Sequence, residues 1–467
     1  MAQASAQEKV NIDPEQLAIV QDNIVQQRPT HYVSKDDVYK RLDKEVNLKF
    51  DFIVLALLSR QFIFCGIDKT NVGFVATTSL VKDAGLEPDD KPNSLSLFSA
   101  TYVPLQLPMV VLARRVGVKY FLAFQLLTWG TLIVPRMLIG AAKAGFTQFG
   151  FFYMSTLYPK YDLALRYDIF AGMYSVAGAF AAVLAYGLLK SESSSLHGWQ
   201  IVFIFEGGFT VFLELITFFL ERAHAVRRME IDLASTQEER DLIDVAKDWK
   251  KLFVVICNIP AVLPVPAFTT FLPLIVKGMG YKGITAMPMS VPPFVVGTVG
   301  LLIIISSSDH FKERSLHTVV GVCLGIIGCI VITTSTDTQL RCGFAHVCMV
   351  GIFVGSPLLA VWLPGNTLWK GKRSVMMGVH GWSHVAGGIA GQIFKSEYTP
   401  RYEVPLMITM MIMACGCCGL VFLNAMYRRE NRAQARQVSN WDEADFAAEA
   451  ASETRRGDQK RAFVYGY

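Results

Sequence analysis

Arg136, Gly140 and Lys143 recur at i, i+4 and i+7, a spacing that sets all three on one face of a helix about two turns long. Two cations on one face suit the capture of an anion. Arg grips a carboxylate with two parallel hydrogen bonds, and Lys adds a compact point charge. The competing reading of Arg136 is a side chain that lies along apolar surface with its head in water. Asp68 and Lys69 are neighbours that form either a local ion pair or a substrate-linked couple. Glu206 follows an apolar run and either neutralises a cation or carries a proton. His380 and His384 stand at i and i+4 and titrate near neutral pH, which suits a proton relay, a ligand contact or a hydrogen-bonded structural role. Tyr102, Gln106, Tyr174 and Asn366 supply aromatic and amide groups for the uncharged part of a ligand.

The elements that must position these residues are membrane spans. The chain is 52% hydrophobic and 18% charged, and its charges fall mostly outside long apolar runs. A spanning helix needs about 20 apolar residues, because every backbone polar group must be paired internally across about 30 Å of hydrocarbon. Twelve such runs are predicted, at about 51–72, 95–113, 118–134, 136–158, 167–189 and 200–220, then about 252–276, 285–307, 316–334, 343–363, 374–394 and 404–427. The expected organisation is a tail at 1–50, a six-helix half at 51–220, a charged central loop at 221–251, a second half at 252–427 and a tail at 428–467. With the N-terminus inside, the inner loops carry about 17 Lys and Arg and the outer loops about 8, so both tails are expected in the cytosol. The third and fourth spans are compressed around Pro135-Arg136, which predicts a short or tilted third helix. Prolines at 104, 108, 260, 264, 266, 292 and 293 are expected to kink their spans.

Several function classes fall away. The net charge of +5 is loop charge that sets orientation, and nucleic acid is not expected as a partner. The nine cysteines sit in or beside apolar runs without ligand spacing and read as packing residues, so no metal is expected. No phosphate-binding glycine motif and no nucleophile with a base appears, which argues against direct use of ATP, a cofactor or an enzyme activity.

Two basic loops occupy equivalent places in the two halves: Arg114-Arg115-Val116-Gly117-Val118-Lys119 after the second span and Asp309-His310-Phe311-Lys312-Glu313-Arg314 after the eighth. The chain here resembles the major facilitator superfamily, whose loops at these places pair with neighbouring helix ends. A narrower resemblance rests on Gly66-Ile67-Asp68-Lys69-Thr70-Asn71-Val72-Gly73, on Trp129-Gly130, Arg136 with Gly140, Asp162 with Arg166, and Gly198-Trp199-Gln200 through Glu206-Gly207. Phe271-Leu272-Pro273, Pro292-Pro293-Phe294, Trp362 with Asn366, Lys372-Arg373 and Tyr398 to Tyr402 continue it. Together they are similar to the fungal anion:cation symporters related to allantoate permease.

The resemblance implies an all-α membrane protein with the twelve-span major facilitator fold in two six-helix halves. It implies a secondary transporter of a small organic anion of carboxylate, vitamin or ureide type, working by alternating access and often coupled to protons. Arg114, Arg115, Lys119, Asp162, Arg166, Asp309 and Arg314 become gate residues. An exporter or exchanger, or a nutrient sensor without transport, is the alternative. The chain departs from the family where Lys143 replaces Glu and Thr147-Gln148 replaces Pro-Gly, so proton coupling is expected to sit elsewhere, at Asp68, Glu206 or the histidines. A monomer in the plasma membrane is expected.

Overall fold

The structure, a computed structural model, describes residues 47–48, 50–75, 83, 90–116, 140–141, 143–158, 163–190, 197–220, 238–279, 286–367, 370–399, 401–451 and 459–466. All regular structure among them is helical.

The first half contains α1 (Ala56–Val75), entered through a π-turn at Asp51–Leu55, then α2 (Asp90–Val116), α3 (Phe146–Leu157), α4 (Leu163–Leu189) and α5 (Gly198–Leu220). The central connection folds as α6 (Glu238–Lys247). The second half contains α7 (Trp249–Val262), α8 (Pro264–Gly278), α9 (Ala286–Phe311), α10 (Ser315–Thr334) and α11 (Thr338–Gly365). It continues with α12 (Lys370–His380), a 3-10 turn at Gly381–His384, α13 (Val385–Ile393) and α14 (Glu403–Val438), and the Ala/Glu-rich stretch beyond forms α15 (Glu443–Ala451). Helix occupies every expected span except the third, 118–134, which lies outside the described residues.

Seven of the described helical stretches are apolar and long enough to cross a membrane on composition alone. The charged α1 is not one of them, because Arg60, Asp68 and Lys69 fall within it. Large apolar side chains face outward on several helices, among them Ile204 and Phe212 of α5, Ile303 of α9 and Phe422 of α14. Such an exterior is stable only against lipid.

Local chemistry explains where helices break. Pro264 has no N–H to donate, so the seventh span divides at Leu263 and restarts with the proline in its first turn. Through Pro104, Pro108, Pro292 and Pro293 the helices run on instead. The fourth span turns at Ala144-Gly145, where Gly145 holds φ +85°; a Cβ there would also lie 2.7 Å from that of Met109. The last span runs on as a 36-residue helix, about 54 Å long, so it extends well past the hydrocarbon and the expected stop near 427.

The buried side chains gather toward the two ends of the bundle. One cluster joins Leu58, Phe149 and Tyr167 to Trp362, Met376 and Tyr427; the other joins Phe74 and Ala181 to Phe271, Phe294 and Met413. A cavity of about 150 Å³ draws its walls from both clusters, and so from both halves.

Candidate functional site

Lys69 is the charged feature of this cavity. Its ammonium stands 4.7 Å from the ring centre of Tyr102 and 5.2 Å from that of Phe98, both on α2. Faces of aromatic rings carry partial negative charge and hold a cation without neutralising it. Phe62, Phe151 and Tyr174 add further rings from the first half. The second half brings His380 and His384, together with Thr270 and Ser356.

Asp68, one residue before Lys69, points away from it around the helix. Its Oδ2 takes the ammonium of Lys143, a side chain only 1% exposed where Asp68 is 36% exposed. Lys143 therefore does not face the cavity, contrary to the expectation from the helical face it shares with Arg136 and Gly140. That face packs inward: a Cβ on Gly140 would collide with the carbonyl of Phe98 and the hydroxyl of Thr101 on α2. A buried ammonium requires a counter-charge, and α1 supplies it. Arg136 lies outside the described residues.

The expected ligand contacts divide. Tyr102 and Tyr174 line the cavity. Gln106 does not; fully buried, it accepts a hydrogen bond from Gly145 N at 3.1 Å and steadies the left-handed turn. Asn366 is also misplaced as a cavity residue, because it caps the end of α11 far along the bundle and bonds to Gly466. Glu206 is buried in α5 and lines no part of the cavity.

The two histidines reach the cavity by a different geometry from the continuous helix expected. The 3-10 turn at Gly381–His384 separates them, and Gly381 lets the Gln106 and Gln148 side chains approach closely, since a Cβ would lie 2.7 Å from Gln106 Oε1. His384 Nδ1 donates to the carbonyl of Gly381 at 3.0 Å, and its ring meets Tyr102 edge-on at 5.6 Å. The Asn258 amide lies 3.2 Å from His380 Nε2 and donates to Ser383 Oγ at 2.7 Å. With Nε2 accepting, the His380 proton sits on Nδ1, where it has no partner among the described residues.

Thr147 and Gln148 line the cavity as well, although the sequence did not single them out as ligand contacts. Their signal was present in the sequence as the departure from the family's Pro-Gly.

Contacts between the halves lie toward both ends of the bundle, beside ion pairs within each half. At the end carrying α6, here the tail end, Arg373 Nη1 donates to the Ser155 carbonyl at 3.1 Å, joining α12 to α3. Asp248 caps α7 and takes both Lys251 at 2.8 Å and Lys372 at 2.7 Å. Burial raises the cost of its charge, but the two ammoniums outweigh that and hold the carboxyl below its ordinary range. Arg166 grips Asp51 with two bonds of 2.6 and 2.7 Å and stacks over Tyr158, so its partner is Asp51. Arg314 pairs with Asp309 at 3.3 Å, near the fully buried Asp168, whose carboxylate has no hydrogen-bond partner among the described residues. Arg114 and Arg115 fall in the last turn of α2, but their side chains, with Lys119 and Asp162, lie outside what is described. At the opposite end Gly73 packs directly on the Thr270 backbone, and Ser96 donates to the Gly388 carbonyl at 3.1 Å.

Two helical halves with a polar-lined aromatic cavity between them, joined toward each end by contacts that can exchange, is a transporter's geometry. Residues 61–392 match the family described as Major Facilitator Superfamily. The chain belongs to the major facilitator superfamily. Among similar superfamily proteins, the MFS-type transporter efuF of Hormonema carpetanum is 29% identical over 89% of this chain and 93% of its own. The High-affinity nicotinic acid transporter of Saccharomyces cerevisiae is 26% identical over 91% of this chain and 85% of its own. In structure, the Escherichia coli fucose:proton symporter superposes with a TM-score of 0.60 at 14% identity, over 79% of this chain and 98% of that one. This superfamily member is thus a secondary transporter with the major facilitator fold, and not an enzyme.

Proposed function

We propose that the substrate is a small planar organic anion, anchored by Lys69, and that the Asp68–Lys143 pair couples its movement to a proton. The placement of Lys69 carries this reading. Among the described residues that line the cavity it bears the one full charge, and no carboxylate lines the cavity beside it. An entering carboxylate would supply the missing negative charge, while Tyr102, Phe98 and Tyr174 offer faces to a flat ring. Nicotinic acid, for which the yeast relative is named, is a carboxylate on an aromatic ring. The motif from Gly66 to Gly73 supports a place among the allantoate permease-like symporters.

Asp68 suits the coupling role because it is partly exposed while its partner is not. Protonation at Asp68 would release the Lys143 ammonium and loosen α1 from the fourth span. Basic residues at the tail end, Lys250, Lys312 and Arg373 among them, support a cytosolic placement for that end and both tails, in a monomer of the plasma membrane. The division into halves at 51–220 and 252–427 belongs to the same reading.

Purified protein in liposomes, given labelled nicotinate and a panel of small carboxylates with and without a pH gradient, tests it. Saturable uptake of a planar anion, lost in Lys69→Ala and partly kept in Lys69→Arg, is the expected result. Undiminished uptake by Lys69→Ala overturns the anchor, and uptake indifferent to the gradient in the unmutated chain overturns the coupling.

A further inference from the structure

Residues 463–466 fold back onto the tail end of the bundle and thread between α11 and α14. Asn431 of α14 donates to the Tyr465 carbonyl at 2.8 Å and accepts from its N–H at 2.9 Å. Asn366 treats the next residue in the same way: it donates to the Gly466 carbonyl at 3.0 Å and accepts from its N–H at 2.7 Å. Trp362 Nε1 adds a 2.5 Å bond to that carbonyl. Each asparagine thus pairs with one N–H and one C=O of the segment, as a neighbouring strand would. The two grips fall on consecutive residues from opposite sides.

Side chains anchor what the amides hold. Tyr465 stacks on Tyr427 at 4.9 Å, and Phe463 meets Tyr465 edge-on at the same distance. Lys250, at the start of α7, holds its ammonium 5.7 Å over the Tyr465 ring. Phe463 and Tyr465 are 3% and 8% exposed, buried like core residues.

We propose that this groove is a peptide-binding site whose occupant is the chain's own segment 463–466, acting as a strap that restrains opening at the tail end. The end of α11 is the part it restrains. Pro357 and Pro364 each remove a backbone donor there, so the last turns of α11 resist bending less than an unbroken helix. Trp362 and Asn366 lie in those turns and bear the strap's bonds. Gly466 also lines a cleft of about 100 Å³ together with Tyr158 and Leu163 of the first half and Arg314 and Arg373 of the second. Opening the cavity toward this end parts those two walls. With the strap seated, α11 cannot bend away without breaking its bonds to Gly466; with it displaced, the end of α11 is free to move.

Hydrogen exchange on the full chain in lipid nanodiscs tests this without knowledge of the substrate. Tyr465→Ala should speed exchange about tenfold not only at 463–466 but at 362–367 and, across the cleft, at 155–158, while α10 stays unchanged. Added peptide with the sequence of residues 459–466 should slow exchange at 362–367 again. Faster exchange confined to 463–466 overturns the proposal, since the segment would then be a passive passenger. Should Tyr465→Ala also loosen α10, Gly466→Pro, which deletes one N–H and no side-chain packing, is judged by the same two outcomes.

Discussion

Lys143 and Asp68, 75 positions apart, form an ion pair that ties the start of the fourth span to the middle of α1. Lys69, immediately after Asp68, is left facing the cavity. One carboxylate thereby decides which of two lysines faces the cavity.

The two partners of the pair differ in exposure, so their removal should differ in cost. Asp68→Asn deprives an ammonium that is 1% exposed of its carboxylate and should cost about 3 kcal/mol. Lys143→Ala leaves a carboxylate that water reaches, and should cost less. Asp68→Asn with Lys143→Met should recover much of the loss, because a well-packed neutral pair avoids desolvation altogether. Thermal unfolding of the three variants in detergent checks the order; equal losses in both single variants would show that burial does not set the energetics.

Lys69 should act on affinity. Removing a charge-assisted hydrogen bond costs about 1.5 to 3 kcal/mol, which for Lys69→Ala corresponds to a rise in KM for an anionic substrate of about 10- to 100-fold. Lys69→Arg keeps the charge but alters its reach across Tyr102, so a smaller rise is expected. Initial rates of uptake over a substrate series measure both.

How far the sequence reaches depends on the length scale of each question. Spans were legible because twenty apolar residues in a row have one stable solution in a bilayer, and the helices at 315–334 and 198–220 agree with the expected runs at 316–334 and 200–220 to within two residues. The run-on of α14 was not, since Arg428 to Arg436 are good helix formers whether or not lipid surrounds them. Partner choice was hardest. The Arg136, Gly140 and Lys143 spacing defines a face but not the helix it meets. Gln106 reads equally as a ligand group or as the acceptor for Gly145 N, and Asn366 could not be linked to Gly466 across 100 positions. The aromatic setting of Lys69 depends on Phe98 and Tyr102 of α2 coming to face it across the cavity, which no local pattern encodes.

Gly145→Ala should destabilise the fold. Its φ of +85° costs a side chain about 1 to 2 kcal/mol, and the Cβ of Met109 at 2.7 Å adds strain of similar size. Gln106→Leu should lose about 1 kcal/mol through the bond to Gly145 N, with KM unchanged. A raised KM in Gln106→Leu, measured beside its unfolding temperature, would return that amide to the substrate site.

Asp248 gives the tail end a defined response to acid. Its folded pKa lies below its unfolded value of 3.8, because the ammoniums of Lys251 and Lys372 outweigh the effect of burial. A depressed carboxyl stabilises the fold above the unfolded pKa, where it is charged in both states, and loses that contribution as pH falls through the folded pKa. The tie from α7 to α12 is therefore intact at neutral pH and is lost only as pH falls through that depressed folded pKa, below 3.8. Unfolding temperature followed from pH 6 to pH 3 should fall more steeply for the unmutated chain than for Asp248→Asn, which lacks the charged pair at every pH. Parallel curves would mean that the two lysines gain nothing from the carboxylate. If the tie also holds the cavity closed, Asp248→Asn at neutral pH should speed hydrogen exchange at the α12 end of the cleft, around Lys372 and Arg373, to the level the unmutated chain reaches only in acid.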